Sequence, residues 1–175
     1  MKNLTKRGLP YRRKIEGKTD YLARLSLLKS GKPRIVVRRS LKNIVIQFVE
    51  FHPDGDKVLC STSSKELVKD YGIKGSLKNI PVSYLTGLLA GKKAVKLKIA
   101  AAIPDLGIRK PHTGGAVFAA LKGLIDSGIN IPHKEDSDKK SVFPSEERIK
   151  GDNVKIKNDY EGIKNKITKW LKPNP

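Results

Sequence analysis

The chain has 175 residues with a hydrophobic fraction of 38%, which suits one medium domain with appendages. Against 17 Asp and Glu it carries 37 Lys and Arg, a net charge of +20 at pH 7; such a surplus repels itself when folded, and a polyanion, most commonly nucleic acid, relieves it. The single cysteine, Cys60, excludes an internal disulfide or a Cys-based zinc site and suits a reducing compartment, and no run approaches the roughly 20 apolar residues of a membrane span, so the expectation is a cytoplasmic protein with no membrane partner.

The charge is uneven. Residues 1–42 hold 14 of the basic residues and only two acids, Glu16 and Asp20, so +12 of the +20 sits in under a quarter of the length. Residues 1–18 have scattered apolar content, and Gly8, Pro10 and Gly17 interrupt any helix. They predict an extended basic arm that orders on a polyanion. No apolar block follows the basic start, so a signal peptide is not expected.

Thr19 is placed to cap a helix, with Asp20 in its first turn and Leu22, Leu25 and Leu28 as an apolar stripe; Gly31 and Pro33 end it. Residues 34–40, 43–51 and 57–62 read as strands, with an Asp-Gly turn at 52–56, and three short-linked strands favour an antiparallel meander. Ser63 and Glu66 have capping-box spacing for a short helix ending at Gly72. Pro81 opens another, with Val82, Leu85, Leu88 and Leu89 on its buried face. Residues 98–103 read as a buried strand bounded by Pro104, and 113–127 as a helix ending at Gly128. Beyond Pro132 comes a charged link, a helical turn near 145–150 and an amphipathic helix near 159–171. The divisions expected are a basic arm over 1–18, an α/β core with a mixed sheet over 19–132, and a linker with a helical extension over 133–175.

Catalysis finds little support. No Gly-x-x-x-x-Gly-Lys-Ser/Thr loop and no Gly-x-Ser-x-Gly elbow occurs, and His52, His112 and His133 lie far apart. A metal-dependent nuclease needs several converging carboxylates, and Glu50 and Asp105 are the two acids at predicted strand ends. No cofactor or metal is expected.

Binding finds more. Arg7, Tyr11, Arg12, Arg13, Lys14, Lys18 and Tyr21 interleave cations with rings. Arginine forks pair with phosphate, and tyrosines stack on unpaired bases; the plainer reading is a solvated basic tail. Arg38 and Arg39 are consecutive on a strand, so they point to opposite faces, and at least one is expected to meet the core side or a neighbour. Arg109, Lys110, His112 and Thr113 lie in a basic loop entering a helix, whose free N–H groups favour phosphate. Thr113 serves equally as a plain cap there, with Gly114 and Gly115 allowing close packing. Lys92, Lys93, Lys96 and Lys98 read most simply as a solvated helix face.

The chain also resembles a known family across about Lys6 to Val154. The stretches that carry the likeness are Tyr11-Arg12-Arg13 with 16–21 (Glu-Gly-Lys-Thr-Asp-Tyr), 27–34 (Leu-Leu-Lys-Ser-Gly-Lys-Pro-Arg), 84–93 (Tyr-Leu-Thr-Gly-Leu-Leu-Ala-Gly-Lys-Lys), 117–123, 131–133 and 146–151. Together they resemble the archaeal and eukaryotic branch of the ribosomal protein family that binds 5S rRNA in the central protuberance of the large subunit (L eighteen in prokaryotic naming, L five in eukaryotic naming). The resemblance implies a ribonuclease-H-like α/β fold of the translational-machinery type and no catalysis. It implies a grip on 5S rRNA through Tyr11, Arg12, Arg13, Lys14, Lys18, Thr19, Tyr21 and Arg24. Further contacts are implied at the sheet's edge by Lys32, Arg34, Arg38 and Arg39, and at the loop of His112 and Thr113. The partners implied are 5S rRNA, large-subunit rRNA and neighbouring ribosomal proteins. Pro104 departs from the family pattern, and 134–143 resembles a variable insertion that carries no site. The other readings are a ribonuclease-H-like processing enzyme and a non-specific basic RNA-binding module.

Overall fold

Runs rich in Val and Ile pack well on a pleated surface, and three of them form the central strands. In the computed structural model, which describes residues 10–73, 75–108, 111–133, 141–151 and 160–169, they are β1 (Arg34–Arg39), β2 (Ile44–Glu50) and β3 (Lys57–Ser63). They pair antiparallel in chain order, with Ile35 opposite Phe48 and Phe48 opposite Cys60. A fourth strand, β4 (Ile103–Asp105), lies parallel to β1, giving a mixed sheet in the order β3-β2-β1-β4. The helices are α1 (Arg12–Ile15), α2 (Tyr21–Leu28), α3 (Ser64–Tyr71), α4 (Ile80–Lys96), α5 (Ala116–Asp126), α6 (Glu146–Lys150) and α7 (Tyr160–Lys169). The chain is an α/β fold with helices flanking a mixed sheet.

Local chemistry sets several boundaries as expected. The Ser63–Glu66 capping box is formed, and Gly72 ends α3 in the left-handed region. Pro81 sits in the first turn of α4. Four expectations need correction. The cap of α2 is Asp20, whose carboxylate accepts from the N–H groups of Leu22 and Ala23, so Thr19 stands one residue outside. Residues 12–15 make a helical turn rather than extended chain, closed by Gly17 at φ +61°. The strand expected at 98–103 lies instead at 103–105 and contains Pro104. α4 runs on to Lys96, and the apolar run after it contributes one isolated bridge, Ala101 with Asn130. Proline is tolerated because β4 is an edge strand. Finally, α5 starts at Ala116, not residue 113, because Gly114 turns the chain at φ +66° and Gly115 is the cap.

One face of the sheet builds the first core cluster. Ile35, Val37, Ile44, Ile46 and Phe48 meet Ala90 and Ala94 of α4 and Ala120, Leu121 and Leu124 of α5. The other side of α4 builds the second, where Val82, Leu85, Leu88 and Leu89 meet Leu67, Ile149, Tyr160, Ile163 and Ile167. The described parts of α6 and α7 therefore pack on α4. A helix buried on both sides cannot leave hydroxyls unpaired. Ser83 and Thr86 donate theirs to the carbonyls of Asn79 and Val82, one turn back.

The seam between α4 and α5 is made by glycine. A Cβ at Gly87 would lie 2.1 Å from the Ala120 carbonyl oxygen, and one at Gly123 would lie 2.3 Å from that of Tyr84. Both obstacles are backbone, so neither can rotate aside. Gly87→Ala is therefore expected to cost about 2–3 kcal/mol through overpacking, lowering Tm by roughly 4–12 °C for a chain of this size. Thermal denaturation followed by circular dichroism measures it.

Candidate nucleic-acid interface

The basic N-terminal region folds into a small unit. Tyr11 precedes α1, and its ring lies 4.9 Å from that of Tyr21 at the start of α2, tilted by 35°. Arg13 Nε donates to Thr19 Oγ1 at 2.9 Å, and the N–H groups of Lys18 and Thr19 both donate to the Arg13 carbonyl. Glu16 accepts from Arg12 Nε at 2.7 Å and pairs with Lys18 Nζ at 2.7 Å. Lys18, then Arg12 and Arg13, hold the Glu16 carboxyl below its usual range. Tyr11, Arg12, Arg13, Lys14 and Lys18 are all exposed, with Tyr11 at 72%. The unit thus presents ring faces and guanidinium groups together, the pairing that suits unpaired bases next to phosphates.

α2 is only lightly packed. It has no fully buried residue, Leu27 and Leu28 are half-buried, and Leu22 and Leu25 are 80% and 53% exposed. An ionic tether adds to this attachment. Arg24 Nη2 donates to both oxygens of Asp56, at 2.9 and 2.8 Å, in the turn between β2 and β3. Asp56 Oδ2 also accepts from Arg34 Nη2 at 2.6 Å, and Arg34 Nη1 donates to Asp105 Oδ2 at 2.7 Å. A chain of four charges, Arg24–Asp56–Arg34–Asp105, therefore joins α2, the β2–β3 turn, β1 and β4.

This overturns the placement of Arg34 at the sheet's edge. β1 is an interior strand, and the Arg34 side chain is only 4% exposed with both terminal nitrogens engaged. Arg34 is not available to a phosphate. Asp105, one of the two acids considered for catalysis, is held by Arg34 and also accepts from the Gly107 N–H. Among the described residues no group of three or more His, Cys, Asp or Glu is placed to hold a metal ion.

The remaining candidates are dispersed. Lys32 is exposed beside the Ser30 hydroxyl, which accepts its N–H. Arg38 and Arg39 are both exposed, so neither meets the core as expected; the core-facing column of β1 ends at Val37, and Arg39 projects past it. His112 and Thr113 are exposed in the loop before α5. That loop spends its N–H groups internally, Gly114 on the Val142 carbonyl and Gly115 on that of His112. Lys93 of the α4 lysine group pairs with Glu66. Arg7, Arg109 and Lys110 lie outside the described residues. Burial pushes the Cys60 thiol up, away from the thiolate form. Sequence reasoning missed the acids that position this surface, Asp56 above all. No local signal marks it: Asp56 lies in an Asp-Gly turn whose composition its neighbours already explain, and the cations it serves, Arg24 and Arg34, are far away in sequence.

Comparison with known proteins places the chain. A family model described as ribosomal large subunit proteins 60S L5 and 50S L18 matches residues 6–103, which span the described α1–α2 unit and the whole meander. Over 168 residues the chain is 46% identical to the large ribosomal subunit protein uL18 of Methanococcus maripaludis, a match covering 93% of this chain and 84% of the relative. No helix among the described residues is long and apolar enough to cross a membrane.

The ion chain has unequal links. Replacing the desolvated Arg34 by Met leaves Asp105 without its ion partner and Asp56 with Arg24 alone, and a loss of about 3–5 kcal/mol is expected. Arg24→Met removes a partly exposed pair and is expected to cost about 1 kcal/mol or less. Chemical denaturation of the two variants side by side checks the ranking.

Proposed function

The chain belongs to the uL18 family of large-subunit ribosomal proteins, and from that premise we propose that it binds 5S rRNA and helps attach it to the large-subunit rRNA in the central protuberance. Its role there is structural, without catalysis or cofactor, within cytoplasmic ribosomes and beside neighbouring ribosomal proteins. The observation that carries this reading is the α1–α2 unit, where Tyr11, Arg12, Arg13, Lys14, Lys18, Thr19, Tyr21 and Arg24 are gathered on two short helices and the chain beside and between them. Lys32, Arg38, Arg39, His112 and Thr113 add exposed groups along the same molecule, with Arg7, Arg109 and Lys110 in flanking segments. Arg34 acts from inside, by holding Asp56 for Arg24. The ribonuclease-H-like assignment belongs to the same proposal, supported by a three-stranded meander extended by one parallel strand.

Phosphate contacts supply most of the affinity and make it fall with salt. Specificity comes from RNA shape, 2′-hydroxyls and a few splayed bases, because the A-form major groove is too narrow to read. Within the unit, the tilted pair Tyr11–Tyr21 offers ring surface beside α1, which carries Arg12, Arg13 and Lys14. A base can stack there while its phosphates meet Arg12 and Lys14.

The test is affinity across a salt series for 5S rRNA and for mixed tRNA, with the full chain and a chain lacking residues 1–18. Selective binding to 5S rRNA that survives moderate salt and is lost on truncation is expected. Equal affinity for both RNAs, vanishing at moderate salt, would mean bulk charge alone. Tyr11→Ala is expected to weaken 5S binding by about 1–3 kcal/mol through lost stacking, with the salt slope unchanged because no charge is removed.

A further inference from the structure

The hairpin between β1 and β2 has a tip that the fold does not require. Arg39 pairs with Ile44 at the end of the ladder, and the loop beyond runs Ser40-Leu41-Lys42-Asn43. Two-residue hairpin turns ordinarily take Asn, Asp or Gly; here the central residues are Leu41 and Lys42. The turn is held by its flanks instead. Ser40 N–H and Oγ–H both donate to the Asn43 carbonyl, at 2.8 and 2.9 Å, and Asn43 N–H donates to Ser40 Oγ at 2.9 Å. With the turn closed by Ser40 and Asn43, the two central side chains are free of any local task.

Leu41 is 87% exposed, the most exposed large hydrophobic side chain among the described residues. Arg38, Arg39 and Lys42, its neighbours along the hairpin, are exposed too and make no ion pair or side-chain hydrogen bond among the described residues. An isolated surface leucine needs no explanation. A leucine at a hydrogen-bonded tip, with three exposed cations within three residues and no acid between residues 34 and 49, is a different object. Its surroundings repel a basic or neutral partner less than they attract a polyanion with an apolar face, and exposed nucleobases are such faces on RNA.

Position adds the second argument. The tip lies at the opposite end of β1 from the Arg24–Asp56 tether, and the six residues of that strand put Arg39 about 17 Å from Arg34 at roughly 3.3 Å per residue. The α1–α2 unit and the tip are therefore separate footholds. A protein that attaches one RNA to another needs two.

We infer that the β1–β2 hairpin is a second RNA-contacting element for the large-subunit rRNA, in which Arg38, Arg39 and Lys42 bind phosphates and Leu41 packs on the face of an unpaired base. This rests on the ribosomal reading above and assigns Leu41 and Lys42 a role in it.

The experiment measures affinity of the full chain for 5S rRNA and for protein-free large-subunit rRNA over a salt series. The variants are Leu41→Ala and Lys42→Gln, each checked for folding by circular dichroism. Leu41→Ala is expected to weaken large-subunit rRNA binding roughly tenfold through lost apolar burial, with the salt slope unchanged. Lys42→Gln is expected to weaken it and to reduce the slope of log K against log salt by about 0.7 on unpaired RNA. Both are expected to bind 5S rRNA as the parent chain does. Parent-like binding of both RNAs by both variants would overturn the inference and leave the 5S reading standing. Loss confined to 5S rRNA would overturn the two-foothold arrangement. A parent chain that bound neither RNA would overturn the ribosomal reading and this inference with it.

Discussion

Arg34 is the one charged side chain buried among the described residues, and the position of the basic α1–α2 unit depends on how that charge is satisfied. A guanidinium out of water needs carboxylates with good geometry, since desolvation costs several kcal/mol per ion. Asp56 supplies one from the β2–β3 turn and Asp105 the other from the end of β4. Meeting that need fixes the β2–β3 turn against β1 and the end of β4 against the same strand. Asp56 then has a second oxygen to share, and Arg24 takes both. Because α2 has no fully buried residue and only Tyr21, Leu27 and Leu28 of its apolar groups are half-buried, apolar packing holds its orientation weakly. The shared carboxylate adds a directional tether, the kind of role in which an ion network specifies an arrangement more than it adds stability.

The division of labour follows from this. Stability resides in α4, which is buried against the sheet on one side and against α3, α6 and α7 on the other. Its glycine seam with α5 lets the two backbones approach closely, so that contact needs no large side chain between them. Charge resides elsewhere, with +12 of the +20 in the first 42 residues. Keeping the cations off the core lets self-repulsion act on parts that RNA will neutralise rather than on the packing that holds the fold.

Much of this was legible because it was local. The Ser63–Glu66 box, the Gly72 stop, the Pro81 start and the antiparallel meander each follow from neighbouring residues. What escaped was decided by tertiary contact. Thr19 and Asp20 are both good caps, and the choice fell to Asp20 while Thr19 was taken by Arg13. The apolar run at 99–102 has strand composition, yet its place beneath the sheet is set by where α4 ends. Arg34 reads as one more cation in a basic stretch, and nothing near it announces two acids arriving from residues 56 and 105. The close-packing glycines are Gly87, Gly91 and Gly123, whereas Gly114 and Gly115, read as allowing helix packing, serve to turn the chain into α5. In the site, the cations and rings were visible from their spacing, and the acids that orient them were not.

The central claim is that an acid orients a basic surface for RNA, and its sign makes it testable. Asp56→Asn removes a negative charge near the interface, so a pure charge account expects tighter 5S rRNA binding. If Asp56 instead holds Arg24 and α2 in their working arrangement, the variant binds 5S rRNA more weakly than the parent chain at every salt concentration, while circular dichroism below its Tm shows the fold intact. Equal or tighter binding by the folded variant would contradict the account.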